Sequence, residues 1–166
     1  MKRIAFLVPM FVVVIGYCAA SRVMAATDSA AFQVTIEIQA ACEIAAANDL
    51  DFGTHGVLSA SIDVATTVDV QCSNTTPYSL RLSQGTGVGA SVAARRMTGP
   101  GGATITYSLY TNAGRTIVWG DTPAVDAVAG VGNGSVQSYQ VYGRVPAQTT
   151  PVHGSFLDTV TATIEF

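Results

Sequence analysis

Apolar and polar residues alternate with a period of two in several segments of the chain. A clear early case is residues 32–39, FQVTIEIQ, in which the intervening residues are polar. One face of this segment would carry Phe32, Val34, Ile36 and Ile38. Successive side chains of a β-strand point to opposite faces, so the pattern predicts a half-buried strand. It leaves open whether this strand completes its own sheet or that of a neighbouring molecule.

The same alternation recurs further along, between clusters of glycine, proline, asparagine, aspartate and serine. Strands are predicted in TVDVQC (67–72), YSLRLS (78–83), ITYSLY (105–110), SYQVYGRV (138–145) and DTVTATIEF (158–166), with a short one in TIVWG that ends at Trp119. The last long segment places four residues on one face, namely Val160, Ala162, Ile164 and Phe166. The alanine-rich stretch 89–97 lies between glycine clusters and is predicted to be a loop.

Short strands with one apolar face, and no amphipathic helix of useful length, predict an all-β fold. Two antiparallel sheets of this kind bury their apolar faces against each other, so a β-sandwich is the expected architecture. A closed barrel is the structural alternative.

The N-terminus has the pattern of a secretion signal. Lys2 and Arg3 precede an apolar run that ends at Cys18, and small residues near Ala25 suit signal cleavage there. A transmembrane helix needs about 20 apolar residues, and this run is shorter and contains a proline. We expect residues 1–25 to be a signal peptide that is removed on export, leaving a single domain.

Charge argues against nucleic acid as a partner. Without the signal peptide the chain keeps five arginines and no lysine, against 11 acidic residues. Binding to a polyanion requires clustered basic side chains, and here Arg95 and Arg96 form the single adjacent pair.

Two cysteines remain after signal cleavage, Cys42 and Cys72. An even pair in a chain bound for an oxidising compartment predicts one disulfide. Two cysteines without a Cys-x-x-Cys spacing or a flanking histidine make a poor zinc site, so no metal is expected there.

Two other motifs could suggest chemistry. Residues 85–90, GTGVGA, fit the G-x-G-x-x-A form of a dinucleotide-binding loop, but no βαβ unit surrounds them. Asp49, Asp51 and His55 could suggest a metal or acid–base cluster with His153, but no second carboxylate pair or nucleophile motif accompanies them. Turn and solvent roles are expected for all of these residues. Neither a cofactor nor an enzymatic activity is predicted.

Aromatic residues are the remaining candidates for a binding site. Tyr110, Tyr142 and Trp119 are predicted to be exposed, where they could stack on sugar rings. Tyrosine and tryptophan also commonly fill the cores of sandwiches or line their rims, which is the alternative interpretation.

Seven segments along the chain, taken in order, are ACEI, LDFG, VDVQC, RRM, YSLYTNAGRTIVWG, VYGRVPA and GSFLDTVTATIEF. Together they resemble the spore coat protein U domain family, and the similar region runs from about Phe32 to Phe166. This family includes the pilin subunits of archaic, Csu-type chaperone–usher pili. The resemblance implies an immunoglobulin-like sandwich that lacks its last strand and has a hydrophobic groove beside its C-terminal strand. Residues 26–39 would be an N-terminal donor-strand extension, and residues 40–166 the pilin-like domain.

The resemblance also implies an assembly mechanism and its partners. In the family a periplasmic chaperone first lends the missing strand, and the N-terminal extension of the next identical or related subunit replaces it at the outer-membrane usher. Carried over by position, the donor strand would insert Phe32, Val34, Ile36 and Ile38. The edge strand of the groove would contain Val160, Ala162, Ile164 and Phe166.

The leading expectation is therefore a structural subunit of a fibre on the cell surface, a pilus that supports adhesion or biofilm formation. Tip adhesins of the family carry an additional N-terminal domain, so this chain resembles a shaft or minor subunit. A spore or surface coat component is one alternative. The other is a secreted carbohydrate-binding sandwich in which residues 32–38 pair within their own sheet.

Overall fold

The computed structural model describes residues 24–166, in which nearly all regular structure is β. The strands in chain order are β1 Cys42–Ala47, β2 Ile62–Cys72, β3 Pro77–Leu82, β4 Arg95–Thr98, β5 Thr104–Tyr110, β6 Val128–Val131, β7 Val136–Val145 and β8 Ala162–Glu165. One short 3₁₀ helix, Pro100–Gly102, follows β4. Within the described part of the chain, no helix has the length and apolar character needed to cross a membrane. The predicted signal peptide lies almost entirely outside the described residues.

The strands form two antiparallel sheets. The larger has the order β1-β2-β7-β5-β4, and the smaller has the order β6-β3-β8. The edge strands β1 and β8, which belong to different sheets, lie next to each other. The all-β fold of two antiparallel sheets predicted from the alternation is confirmed.

Alternate residues of the strands make the core between the two sheets. The buried apolar side chains of β2, β3, β5 and β7 include Val68, Val70, Leu80, Leu82, Leu109, Val141 and Val145. Cys42 and Cys72 lie opposite each other in the β1–β2 register and form the predicted disulfide.

Trp119 corrects two of the predictions. It lies in no strand, since Val118 makes only an isolated bridge to Tyr110. Its side chain is 1% exposed, and its indole N–H donates a hydrogen bond to the carbonyl oxygen of Leu80 at 3.0 Å. Trp119 is therefore a core residue and not an exposed aromatic, because its ring fills the space between the sheets.

Tyr110 and Tyr142 also differ from the prediction, since both are only partly exposed. They face each other across β5 and β7. The guanidinium of Arg115 lies over the ring of Tyr142, with its central carbon 5.6 Å from the ring centroid. This contact covers part of the ring.

The boundaries of two further elements differ from the predicted ones. β4 begins at Arg95, so the loop predicted over residues 89–97 is wrong at its C-terminal end. The last strand is restricted to Ala162–Glu165, shorter than the alternating segment that predicted it.

Residues 24–41 form no strand, and the strand predicted over residues 32–39 is not formed in this chain. Strand structure needs a hydrogen-bonded neighbour, and these residues have none among the described part of the chain. The four apolar residues of the segment are 75–86% exposed; they are Phe32, Val34, Ile36 and Ile38. The chain divides into two units, Met1–Ile36 and Glu37–Phe166, and every strand of the described residues belongs to the second.

Candidate functional site

A groove with a volume of about 1100 Å³ opens between the two sheets, with polar residues among those of its walls, and we call it the edge groove. One wall is formed by residues 47–58, and the other by residues 150–162. Its floor consists of core side chains from both sheets, including Val68, Leu82, Tyr107, Leu109, Val141 and Val145. Protein interiors are close-packed and contain few voids larger than a water molecule. A groove of this size between the two sheets is therefore a candidate site for an added element.

The wall at β8 has a free backbone edge. Among the described residues β8 pairs with β3 alone. The amide of Ser83 donates to the carbonyl oxygen of Thr161 at 2.9 Å, so the polar backbone groups of Thr161, and by alternation of Thr163, point toward β3. Those of Ala162 and Ile164 therefore point away from β3. Such an edge is a template for an added strand.

The residues predicted for this edge occupy different positions along it. Val160 and Ala162 line the edge groove and are partly buried against the core. Ile164 lies opposite Leu80 in the register and also packs against the core. Phe166 is 60% exposed at the end of the chain.

The opposite wall is built by the LDFG segment. Leu50 and Phe52 pack on β7 at Gly143, where an added Cβ would lie 2.9 Å from Leu50 and 3.0 Å from Phe52. The ring of Phe52 makes an edge-to-face contact with Tyr107, with the centroids 6.1 Å apart. Gly143 thus allows two large side chains to lie across the sheet.

The candidate acid–base residues of this wall serve local structure. The carboxylate of Asp51 accepts a hydrogen bond from the amide of Gly53 at 2.8 Å. His55 places Nε2 2.7 Å from the carbonyl oxygen of Phe52. In residues 24–166 no group of three or more histidine, cysteine, aspartate or glutamate side chains is arranged to hold a metal ion.

A buried arginine stabilises the turns beside the groove. Arg95 is fully buried and donates four hydrogen bonds, all to carbonyl oxygens at 2.8–2.9 Å. The acceptors are Ser83, Val92, Leu82 and Trp119. Burial lowers the pKa of Arg95 and is opposed by the surrounding acidic groups. The guanidinium therefore links the end of β3 to the segments before β4 and around Trp119.

Asp158 anchors the start of the C-terminal edge, where its carboxylate accepts four hydrogen bonds. Oδ1 accepts from the amide and the hydroxyl of Thr86 at 2.7 and 3.0 Å, and from the amide of Thr159 at 2.8 Å. Oδ2 accepts from the hydroxyl of Tyr107 at 2.7 Å. We call Asp158, Thr86, Thr159 and Tyr107 the Asp158 clasp. An added Cβ at Gly85 would collide with the carboxylate, so this loop position requires glycine.

Substitution of Asp158 by asparagine should destabilise the fold in a pH-dependent manner. Burial raises the pKa of Asp158, but the hydrogen bonds from Tyr107, Thr86 and Thr159 outweigh it and hold the pKa below its ordinary value. The carboxylate therefore contributes stability above its unfolded pKa of about 3.9, and this stability is lost as the pH falls through the folded pKa. Urea unfolding should show Asp158→Asn less stable by about 1–3 kcal/mol at pH 7. The difference should narrow below about pH 4; a constant difference down to pH 2 would contradict this account.

The alternation pattern indicated neither Arg95 nor Asp158 as a site residue. Arg95 entered only as half of a basic pair, and Asp158 as the start of a strand. A signal was present for Arg95, since a charged residue in a short apolar stretch of an exported chain has to be either exposed or fully hydrogen-bonded. Two partners of Asp158, Tyr107 and Thr86, lie 51 and 72 positions away, and no local pattern reports them.

Comparison with known proteins gives concordant matches. Residues 28–163 match the Spore Coat Protein U domain family. The chain is 32% identical over 156 residues to Protein U of Myxococcus xanthus, which covers 86% of this chain and 87% of that protein.

The fold is similar to that of a chain in a solved pilus complex. The complex is the CsuC–CsuE chaperone–tip adhesion subunit pre-assembly complex from the archaic chaperone–usher Csu pili of Acinetobacter baumannii. The TM-score is 0.57 and the sequence identity is 25%. The match covers 78% of this chain but 40% of the other, so this chain spans less than half the length of that structural neighbour.

Proposed function

Because the chain belongs to the Spore Coat Protein U domain family, we propose that it is a structural subunit of a surface fibre of the archaic chaperone–usher type. Subunits would join head to tail, with residues 32–38 of one copy lying as a strand in the edge groove of the next. The observation that carries the proposal is the open groove, with its apolar floor, beside the free backbone edge of β8.

The apolar face of residues 32–38 is strong enough to hold two subunits together. Complete burial of a large apolar side chain contributes roughly 1.5–3 kcal/mol, so four of them contribute on the order of 6–12 kcal/mol before ordering costs. This is comparable to the free energy of unfolding of a whole domain. A noncovalent joint of this strength would be long-lived.

The donor and acceptor segments match in length and in pattern. Residues 32–38 and residues 160–166 each present four alternate apolar positions, which span about 20 Å at roughly 3.4 Å per residue. In strand addition the main chain supplies hydrogen bonds and the alternate side chains supply register. Because donor and groove are different surfaces of one molecule, the contact is heterologous and generates an open fibre.

The proposed partners follow from the open groove. A subunit with an exposed apolar groove is prone to aggregate before assembly. A periplasmic chaperone would cover the groove, and an outer-membrane usher would exchange the chaperone for the next subunit. The similarity to a chain of a chaperone–subunit complex supports this assignment. Adhesion and biofilm formation are the proposed roles of the finished fibre.

A surface coat is the second candidate, because the family description refers to spore coat. Electron microscopy of expressing cells separates the two, since a pilus subunit gives thin filaments and a coat component gives a continuous layer.

The carbohydrate-binding alternative required residues 32–38 to pair within their own sheet. These residues are unpaired and Trp119 is buried, so we do not propose it.

Deletion of residues 26–39 tests strand donation. The mature chain is expected to form polymers, and the deleted chain, co-expressed with a chaperone, is expected to form none. A synthetic peptide of residues 26–39 should bind the deleted chain and raise its melting temperature, because the peptide fills the edge groove. The matched control is the same peptide with Ile36→Asp. A deleted chain that is a stable monomer without chaperone and ignores the peptide would refute the proposal.

A further inference from the structure

We propose that Asp158 is a positioning residue that holds the first half of the groove edge, residues 158–161, ready for the incoming strand. This inference rests on the proposed function and adds to it a residue that controls how readily the edge groove accepts its strand. The observation that supports it is how residues 158–161 are attached to the rest of the domain.

The groove edge has two parts with different support. From Ala162 onward β8 is held by regular pairing with β3. Residues 158–161 precede that ladder, and side chains support them. The amide of Thr161 donates to the hydroxyl of Ser83 at 2.9 Å, and the amide of Thr159 donates to the carboxylate of Asp158 at 2.8 Å. Backbone bonds hold the two ends of this stretch, since the amide of Ser83 donates to Thr161 and Leu157 forms a two-bond bridge with Thr98. Between those ends, the carboxylate of Asp158 supplies the side-chain attachment.

Asp158 connects this half of the edge to the floor of the groove. Tyr107, which donates to Oδ2, lies in β5 with its ring buried in the floor. Thr86, which donates twice to Oδ1, belongs to the loop after β3. One carboxylate thus ties the start of the groove edge both to the floor, through Tyr107, and to the loop after β3, through Thr86.

The position of Val160 matters for binding because its backbone groups face the open side of the edge. Alternation from Thr161 directs the amide and the carbonyl of Val160 away from β3. An incoming strand would form its hydrogen bonds with these groups. If residues 158–161 were free to move, their ordering would have to accompany binding, which weakens and slows association.

The experiment uses the mature full-length chain carrying Ile36→Asp, which disables its own donor segment and leaves its groove intact. The probe is the synthetic peptide of residues 26–39 with the natural sequence. Association and dissociation rates are measured for this parent chain and for the same chain with Asp158→Asn added. Asparagine keeps an oxygen in the place of Oδ1, which accepts from Thr86. It has a nitrogen in the place of Oδ2, and that nitrogen cannot accept the hydrogen bond from Tyr107.

Asp63 supplies the matched control. It is also an aspartate with a lowered pKa, because Arg144 donates two hydrogen bonds of 2.7 Å to it, but it lies outside the groove. Asp158→Asn is expected to slow peptide association about tenfold or more. Asp63→Asn is expected to leave the association rate unchanged. The free energy of unfolding is measured for both variants, so that an effect on binding is separated from an effect on stability.

Three outcomes decide between the hypotheses. Slower association in Asp158→Asn alone supports the positioning role. The positioning role is overturned, and the proposed function stands, if the two variants associate with the peptide at equal rates. The same conclusion follows if the association rate falls in proportion to the free energy of unfolding in both variants. A parent chain that does not bind the peptide overturns the proposed function, and this inference with it.

If Asp158→Asn does not fold, Tyr107→Phe removes one bond of the clasp and is expected to slow association by a smaller factor; an unchanged association rate for Tyr107→Phe overturns the inference.

Discussion

Replacement of Ile36 with aspartate is expected to abolish polymerisation of the mature chain. If residues 32–38 fill the groove of the next subunit, the new carboxylate is buried among apolar side chains without a partner. An unpaired buried charge costs roughly 3–5 kcal/mol, which weakens association by about two to four orders of magnitude. Size-exclusion chromatography with light scattering should detect monomers or chaperone complexes in place of polymers.

Thr35→Asp is the control for this experiment. Thr35 adjoins Ile36 and belongs to the polar face of the same segment, so its substitution adds the same charge without placing it in the groove. Both positions are exposed in the single chain, and neither substitution should alter the stability of the sheets. Polymerisation near the wild-type level is expected for Thr35→Asp. Equal effects of the two substitutions would show that this face does not enter a groove.

Replacement of Arg95 with methionine is expected to have the largest effect on stability. The substitution keeps much of the side-chain volume but leaves four carbonyl oxygens without their donor. A buried acceptor left without its donor costs about 1–3 kcal/mol, and the bonds to Leu82 and Trp119 are buried, so the loss is expected to be a large fraction of the 5–15 kcal/mol that is typical of a domain. Urea denaturation monitored by the fluorescence of Trp119 provides the measurement, because that buried ring lies beside the bond from Arg95.

Arg96→Met is the matched control. Arg96 follows Arg95 directly, is less buried, and donates a single longer hydrogen bond of 3.3 Å to the carbonyl oxygen of Val88. Its substitution should cost less than about 1 kcal/mol, as for other partly exposed charges. Similar losses for Arg95→Met and Arg96→Met would contradict the role assigned to the buried guanidinium.

Ser83 connects the buried arginine to the groove edge. Its carbonyl oxygen accepts from Arg95, its amide donates to the carbonyl of Thr161, and its hydroxyl accepts from the amide of Thr161. A displacement of this loop would therefore move the edge on which the added strand is proposed to form. Arg95 fixes the loop from the core side, and the Asp158 clasp fixes it from the groove side.

Strands with clear alternation were predicted well because their signal is local. β2, β5 and β7 each contain the alternating segment that predicted them, and β3 contains all of its segment except Ser83. β1, β4 and β6 were missed, since CEIAAA is rich in alanine, RRMT begins with two charged residues, and VAGV is short and contains glycine. Whether such segments form strands depends on the neighbours that they pair with more than on their own propensity.

A different outcome arose where a strand-like pattern has no partner among residues 24–166. Residues 32–39 alternate clearly, yet they are unpaired and exposed. TIVWG reads as a strand but contributes an isolated bridge and a core tryptophan. Alternation reports which faces of a segment are apolar, whereas the partner decides whether the segment becomes a strand.

The sequence by itself determined the all-β character of this protein, the pairing of Cys42 with Cys72, and the apolar face of residues 32–38. Each of these depends on local periodicity or on counting a rare residue type. Only the tertiary structure decided which edges of the two sheets stay open, where the edge groove lies, and which hydrogen bonds Arg95 and Asp158 make. The physical reason is that sheet order and side-chain hydrogen bonds join residues far apart in the chain, as Asp158 is joined to Thr86 and Tyr107, and short-range patterns contain no record of such contacts.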